Sequence, residues 1–70
     1  MLYIVLVKTK DLIKRLKQNG WYLDRIKGSH HIYDHPNAAR PVTVPVHGKE
    51  VTDRFAKIIM QQAEQALGKE

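Results

Sequence analysis

Apolar residues recur along this 70-residue chain with two different periods, and each change of period marks an element. The first clear segment has helical spacing, with Leu12, Ile13 and Leu16 forming one stripe. Thr9 can cap its start, and Asn19 with Gly20 favours a left-handed end. The pattern therefore predicts a first helix that begins at Thr9 and ends at Asn19-Gly20.

The middle of the chain changes to the period of two that is typical of strands. We expect strands over Trp21–Lys27 and His30–His35, because the intervening Gly28-Ser29 is short enough to form a hairpin turn. Pro36–Pro41 has the composition of a loop. Val42, Val44 and Val46 then alternate with Thr43 and Pro45, which predicts a third strand with a free edge at Pro45.

The chain returns to helical spacing after a break at His47–Glu50. Thr52 is the expected cap of a last helix whose buried stripe is Phe55, Ile58, Ile59, Ala63 and Ala66 or Leu67. Its expected outward positions are Arg54, Lys57, Gln61 and Glu64. We therefore predict a single α+β domain over residues 1–70, in the order α-β-β-β-α, with a three-stranded antiparallel sheet and two helices on one of its faces.

Residues 1–7 stand apart as an apolar N-terminal extension. Their six-residue apolar run is too short to span a bilayer, and it has neither a basic segment before it nor a cleavage site after it. It is expected to be either a short strand that needs a neighbour or a disordered extension. The chain has no Cys, which excludes disulfides and thiol chemistry and favours the cytoplasm.

The net charge of +5 is concentrated in one segment. Residues 8–27 hold seven bases and two acids, whereas residues 28–47 and 48–70 each sum to zero. On the first helix Lys10, Lys14 and Lys17 share the outward face. This segregation favours a polyanionic partner, namely nucleic acid, an anionic membrane or an acidic protein, over a merely solvated surface.

Histidine is the other concentration of chemistry, with three of the four between residues 30 and 35. On a strand His31 and His35 are separated by about 13 Å, too far to share a metal ion. A site made by His30 and His47 stays open, although no acidic neighbour completes it. A different use is acid–base catalysis on RNA, which supplies its own 2′-OH nucleophile and needs only a histidine with cations around the phosphate. From the residues alone, a nuclease and a plain RNA-binding module are equally supported.

The chain also resembles a known family over roughly residues 8–63. Three stretches carry the resemblance: Asn19–Trp21, Arg25–Pro36 with its Gly28-Ser29-His30-His31 turn, and Val42–Pro45. They look like the HicA family of toxin mRNA interferases. Membership would imply a fold like that of a double-stranded-RNA-binding domain, metal-independent cleavage of mRNA by a single catalytic histidine, and inhibition by a HicB-like antitoxin.

The family's catalytic histidine follows the small residue of that turn, which maps onto His30. The expected RNA-binding residues are Lys27, Ser29, Gly28, Arg25, Lys10, Lys14 and Lys17. We expect neither a metal nor a cofactor, and no membrane partner. The alternative functions are a non-catalytic double-stranded-RNA-binding module and a protein-interaction domain whose basic face binds an acidic partner. The extension at residues 1–7 departs from the family pattern and leaves pairing with a sheet edge and self-association open.

Overall fold

A computed structural model describes residues 3–68 of the chain. Its elements in chain order are β1 (Leu6–Lys8), α1 (Thr9–Gln18), β2 (Tyr22–Lys27), β3 (His30–Asp34), β4 (Val42–Pro45), β5 (Glu50–Thr52) and α2 (Asp53–Ala66). The predicted α-β-β-β-α layout is confirmed. The structure adds one short strand at each end of that layout, β1 before the first helix and β5 before the second.

Helix α1 forms where the apolar stripe predicted it, but its start differs from the prediction. Leu12 and Leu16 are buried, and Gly20 has the left-handed φ of +92° that follows a helix end. The N-cap is Lys8 and not Thr9. The prediction of a Thr9 cap was wrong because Thr9 is already helical, and its hydroxyl donates to the carbonyl oxygen of Gly48 at 3.1 Å.

Helix α2 has the predicted cap and a buried face that is partly different. The hydroxyl oxygen of Thr52 accepts a hydrogen bond from the backbone N–H of Phe55 at 3.1 Å, as a capping residue should. The buried positions are Ala56, Ile59, Ala63 and Ala66. Ile58 was wrongly predicted to be buried: it is 41 % exposed. The small alanines form the stripe that lies against the core, and Ile58 projects to one side of it.

The main sheet is antiparallel, with β3 between β2 and β4. Strand β2 pairs with β3 from Tyr22 opposite Asp34 to Lys27 opposite His30, with a shift of register at Asp24. Strand β4 is an edge strand, so Pro45 removes no hydrogen bond from the interior of the sheet, as predicted.

The N-terminal extension supplies one strand of a separate two-stranded sheet. Strand β1 pairs antiparallel with β5, with Val7 opposite Val51. The backbone N–H of Asp53 also donates to the carbonyl oxygen of Val5 at 2.8 Å. The predicted break at His47–Glu50 is correspondingly shorter, because Glu50 already belongs to β5. Met1 and Leu2 of the extension lie outside the described residues.

One core cluster lies between the helices and the main sheet. Its buried members are Leu12, Leu16, Trp21, Tyr33, Val42, Val44, Ala56, Ile59, Ala63 and Ala66. Because side chains alternate along a strand, the register places Tyr33, Val42 and Val44 on the helix-facing side. Neither α1 nor α2 covers the opposite face, although Ile32, at its centre, is only 8 % exposed. Within residues 3–68, neither helix is long and apolar enough to cross a membrane.

Candidate functional site

The β2–β3 hairpin brings Lys27 and His30 together. The two residues are directly opposite each other in the register, one at the end of β2 and one at the start of β3. Gly28 has a φ of +57°. Among the residues that the structure describes, only glycines have a positive φ. This combination corresponds to a two-residue turn with glycine at its first central position, which suits the twist of a hairpin. The turn therefore fixes a cation beside an exposed imidazole.

The same register extends this group along the open face of the sheet. Arg25 is two residues before Lys27 and opposite Ile32, so both bases project from the face that the helices leave uncovered. The guanidinium of Arg25 is 3.9 Å from the carboxylate of Asp24, and both side chains are largely exposed. An ion pair of this length and exposure holds its partners weakly, so Arg25 can exchange it for another anion.

His47 lies beside His30, a pairing that the sequence left open only as two metal ligands and not as part of the predicted catalytic or RNA-binding site. Its ring centroid is 6.4 Å from that of His30, and the two planes are at 79°. The backbone N–H of Val46 donates to the carbonyl oxygen of Ser29 at 2.7 Å, which extends the β3–β4 pairing beyond Pro45 and His30. The alternation of β4 predicts this position of His47. His47 is two residues after Pro45 and therefore lies on the same face of the sheet as Pro45.

The segment that carries His47 is tied to α1 as well as to the hairpin. The backbone N–H of Thr9 donates to the carbonyl oxygen of Lys49 at 2.8 Å. The hydroxyl of Thr9 donates to the carbonyl oxygen of Gly48. Thr9 is 4 % exposed, so the donor side of both bonds is buried. His47 is thus held between an anchor at Val46 and two anchors at Thr9, although its own side chain is exposed.

The lysines of α1 lie on the other side of the sheet from Lys27 and Arg25. Lys10, Lys14 and Lys17 are all exposed, as predicted. Lys10 follows the anchoring Thr9 and lines a cleft of about 610 Å³ together with Lys8 and Lys49. Lys17 is about 10 Å farther along the helix axis. The basic segment therefore divides between the open face and the helix side, and Lys10 is its helical member nearest to the anchored segment.

The remaining histidines have other surroundings. His31 is half-buried and is opposite Val44, on the helix-facing side of β3. His35 lies after β3, where its ring contacts the carbonyl oxygen of Asn19 and packs against Trp21 with 5.2 Å between ring centroids. Residues 3–68 contain no group of three His, Cys, Asp or Glu side chains arranged to hold a metal ion.

One core residue has a perturbed titration. Burial raises the pKa of the Tyr33 phenol, because the charged phenolate loses hydration among the core residues. Tyr33 is on the helix-facing side of β3, opposite to the face that carries His30. Its perturbation is therefore a property of the core.

Comparison with protein families adds the biological class. The family model described as the HicA toxin of bacterial toxin-antitoxin systems matches residues 9–65. The chain belongs to the HicA toxin family. This confirms the resemblance inferred from the hairpin motif and makes the protein a toxin of a bacterial toxin–antitoxin system. A comparison with curated proteins finds no match.

The HicA match includes the whole of the candidate site and leaves out β1. It begins at Thr9, the residue that anchors the His47 segment, and it ends one residue before the last residue of α2. The pairing of β1 with β5 therefore joins a strand outside the region matched to the family to a strand inside it.

Proposed function

We propose that this HicA-family toxin is a metal-independent endoribonuclease that cleaves mRNA at His30. The observation that carries the proposal is the pairing of Lys27 with His30 across an exposed turn on the open face of the sheet. An open face suits a long polymer, which cannot enter an enclosed cavity. We further propose that the toxin acts in the cytoplasm, where it meets mRNA.

The chemistry requires little from the protein beyond proton transfer and charge stabilisation. RNA contains the nucleophile: loss of the 2′-OH proton lets that oxygen attack the adjacent phosphorus, and the bond to the 5′ oxygen breaks. The products are a 2′,3′-cyclic phosphate and a 5′-OH. One imidazole can accept the first proton when it is neutral or donate the second when it is protonated. His30 has the exposure and the neighbouring cation that this role needs.

Cations around His30 would bind the phosphate and stabilise the negative charge that develops on it. Lys27 is nearest in the register, and Arg25 is the next base on the same face. The backbone of Gly28 and Ser29 forms the turn that would approach the RNA. Lys10, Lys14 and Lys17 would contact phosphates farther along the strand, as expected of a basic helix face.

We propose that a HicB-like antitoxin inhibits the toxin by covering this face. Arg25, Lys27 and His30 are all exposed in the toxin alone, so one bound protein could exclude RNA from all three. A partner that covers them should present carboxylates, since it must satisfy the charges that RNA would otherwise neutralise.

The direct test compares purified toxin and its His30→Ala variant on mRNA in the presence of EDTA. We expect cleavage by the native protein and none by the variant, with both retaining RNA binding. His31→Ala is the matched control, because its side chain is on the opposite face of the same strand. Equal cleavage by native protein and His30→Ala would refute the proposal. Binding of duplex RNA without cleavage by either would instead support the non-catalytic binding module.

Expression in bacteria gives an independent measurement of the same proposal. Native toxin should arrest growth, and His30→Ala should relieve the arrest at equal protein levels. Coexpression of the antitoxin should also relieve it. Growth arrest that persists in His30→Ala would contradict a nuclease mechanism centred on this residue.

A further inference from the structure

We propose that His47 is a second catalytic residue of this site and transfers a proton to or from the substrate opposite His30. This inference rests on the ribonuclease function proposed above. Cleavage of RNA by its own 2′-OH needs two proton transfers, one from the attacking oxygen and one to the leaving oxygen. A single histidine can perform only one of them in the same step. The neighbouring His47 supplies the group for the other.

The geometry of the hairpin and of β4 places the two rings at one location. Pro45 is directly opposite His30, and His47 is two residues farther along the chain. This is the diagonal relationship between neighbouring antiparallel strands, in which long and aromatic side chains still meet. The centroid separation of 6.4 Å and the near-perpendicular planes are the observed result. Both side chains are exposed, so a phosphodiester can contact both rings from the open side.

The separation of the two rings also suits two groups that act on different oxygens of one phosphate. In phosphoryl transfer the attacking and leaving oxygens are on opposite sides of the phosphorus, roughly in line. Each proton-transferring atom must come within about 3 Å of its own oxygen. Two rings that are near each other without forming a hydrogen bond can reach the two oxygens of one phosphate. One imidazole would be neutral and accept the 2′-OH proton, while the other would be protonated and donate to the 5′ oxygen.

His47 is positioned by backbone contacts and not by its exposed side chain. Val46 bonds to Ser29 within the hairpin, and Thr9 bonds to both Gly48 and Lys49. These three bonds fix the segment on either side of His47, so the backbone holds this residue beside His30. The His47→Ala variant should therefore fold as the native protein does.

The test measures single-turnover cleavage of an RNA oligonucleotide by native toxin, His30→Ala, His47→Ala and the control His31→Ala, each as a function of pH. Native toxin should give a bell-shaped profile from one base and one acid. We expect His47→Ala to be slower by about 10² or more and to lose one limb of the bell, with an unchanged unfolding midpoint. Cleavage by His47→Ala at the native rate, or with both limbs kept, would overturn the inference while the nuclease function stood.

A modified substrate distinguishes the two proton transfers. When sulfur replaces the bridging 5′ oxygen, the leaving thiolate needs no proton. A variant that lacks the general acid should therefore no longer cleave this RNA more slowly than native toxin. Only one of His30→Ala and His47→Ala should regain its rate on this RNA. Rescue of both or of neither would contradict the division of roles. Absence of cleavage by native toxin would overturn the nuclease function and this inference together.

Discussion

The imidazole of His35 occupies the space that a side chain at Gly20 would need. A Cβ atom at Gly20 would lie 2.7 Å from Nε2 of His35. The ring is held there from both sides, because the backbone N–H of Asn37 donates to Nδ1 at 3.0 Å and Nε2 is 3.0 Å from the carbonyl oxygen of Asn19. Since Nδ1 accepts, Nε2 carries the proton and donates. This contact joins the end of α1 to the end of β3.

Gly20→Ala should therefore destabilise the protein for two separable reasons. The left-handed backbone costs about 1–2 kcal/mol for a residue with a Cβ, and the collision with His35 adds to it. Urea unfolding would measure the change in midpoint. Gly28→Ala is the matched control, because Gly28 has a left-handed φ of +57° but nothing within 4 Å of the added Cβ.

A double-mutant cycle isolates the steric part. Gly20→Ala should cost less in a His35→Ala background, since the ring that it would meet is gone. Equal costs in the two backgrounds would show that backbone strain alone accounts for the effect.

Thr9→Val should weaken the attachment of the His47 segment to α1. The change keeps the shape of the side chain but removes the hydroxyl that donates to Gly48, and a typical hydrogen bond contributes about 0.5–1.5 kcal/mol. We expect a loss of that size in the free energy of urea unfolding. Thr43→Val, on an exposed position of β4, is the control and should change little. A Thr9→Val protein as stable as the native one would mean that water replaces the bond without cost.

Alkaline pH should destabilise the folded protein through Tyr33. Burial raises its pKa above the value of about 10 in the unfolded chain, so the folded state keeps the proton over a range in which the unfolded state has lost it. The stability that protonated Tyr33 contributes is complete below about pH 10 and is lost as the pH rises through the pKa of Tyr33 in the folded state. Unfolding free energies measured across this range should fall less steeply in Tyr33→Phe than in native protein.

The exposed Tyr22 provides the control for that measurement. Tyr22 is 49 % exposed and lies outside the core cluster. Tyr22→Phe should therefore retain the native alkaline dependence. If the two variants gave the same slope, burial of Tyr33 would not account for the alkaline loss of stability.

The lysines of α1 should control the salt dependence of RNA binding. Replacement of Lys10, Lys14 and Lys17 by alanine should weaken binding and reduce the slope of log affinity against log salt by about 2, because each phosphate contact on a single strand contributes about 0.7. Chemistry on saturated RNA should be unchanged, since the open face keeps Arg25 and Lys27. Filter binding of His30→Ala protein at several salt concentrations measures the slope without cleavage.

A lysine on α2 tests whether the salt dependence of RNA binding comes from the position of the α1 lysines or from positive charge alone. Lys57 is exposed and lies 3.0 Å from the carboxylate of Asp53, within the same helix. Lys57→Ala should leave the slope near the native value. An unchanged slope in the triple variant would show that the charges of α1 are merely solvated.

Much of the fold follows from the sequence because its signals are local. Helical and strand periods differ, Gly20 and Thr52 favour helix ends, and Gly28-Ser29 favours a hairpin, so the α-β-β-β-α order could be predicted from residues near one another in the chain. The hairpin motif likewise carried the family resemblance. The sequence also predicted that Lys27 lies near His30, because only the two-residue turn separates them.

Tertiary structure decided what depends on residues far apart in the chain. The local pattern predicted that Thr9 caps α1, which was wrong, because the hydrogen-bond partners of Thr9 are Gly48 and Lys49, about forty positions away in the chain. The pairing of β1 with β5 and the exposure of Ile58 also depend on how the elements pack. The position of His47 beside His30 required the register of β4 against β3, which Val46 and Ser29 fix by a hydrogen bond. By itself, the sequence determined a hairpin with a histidine beside a lysine; packing of distant segments decided which second histidine joins it.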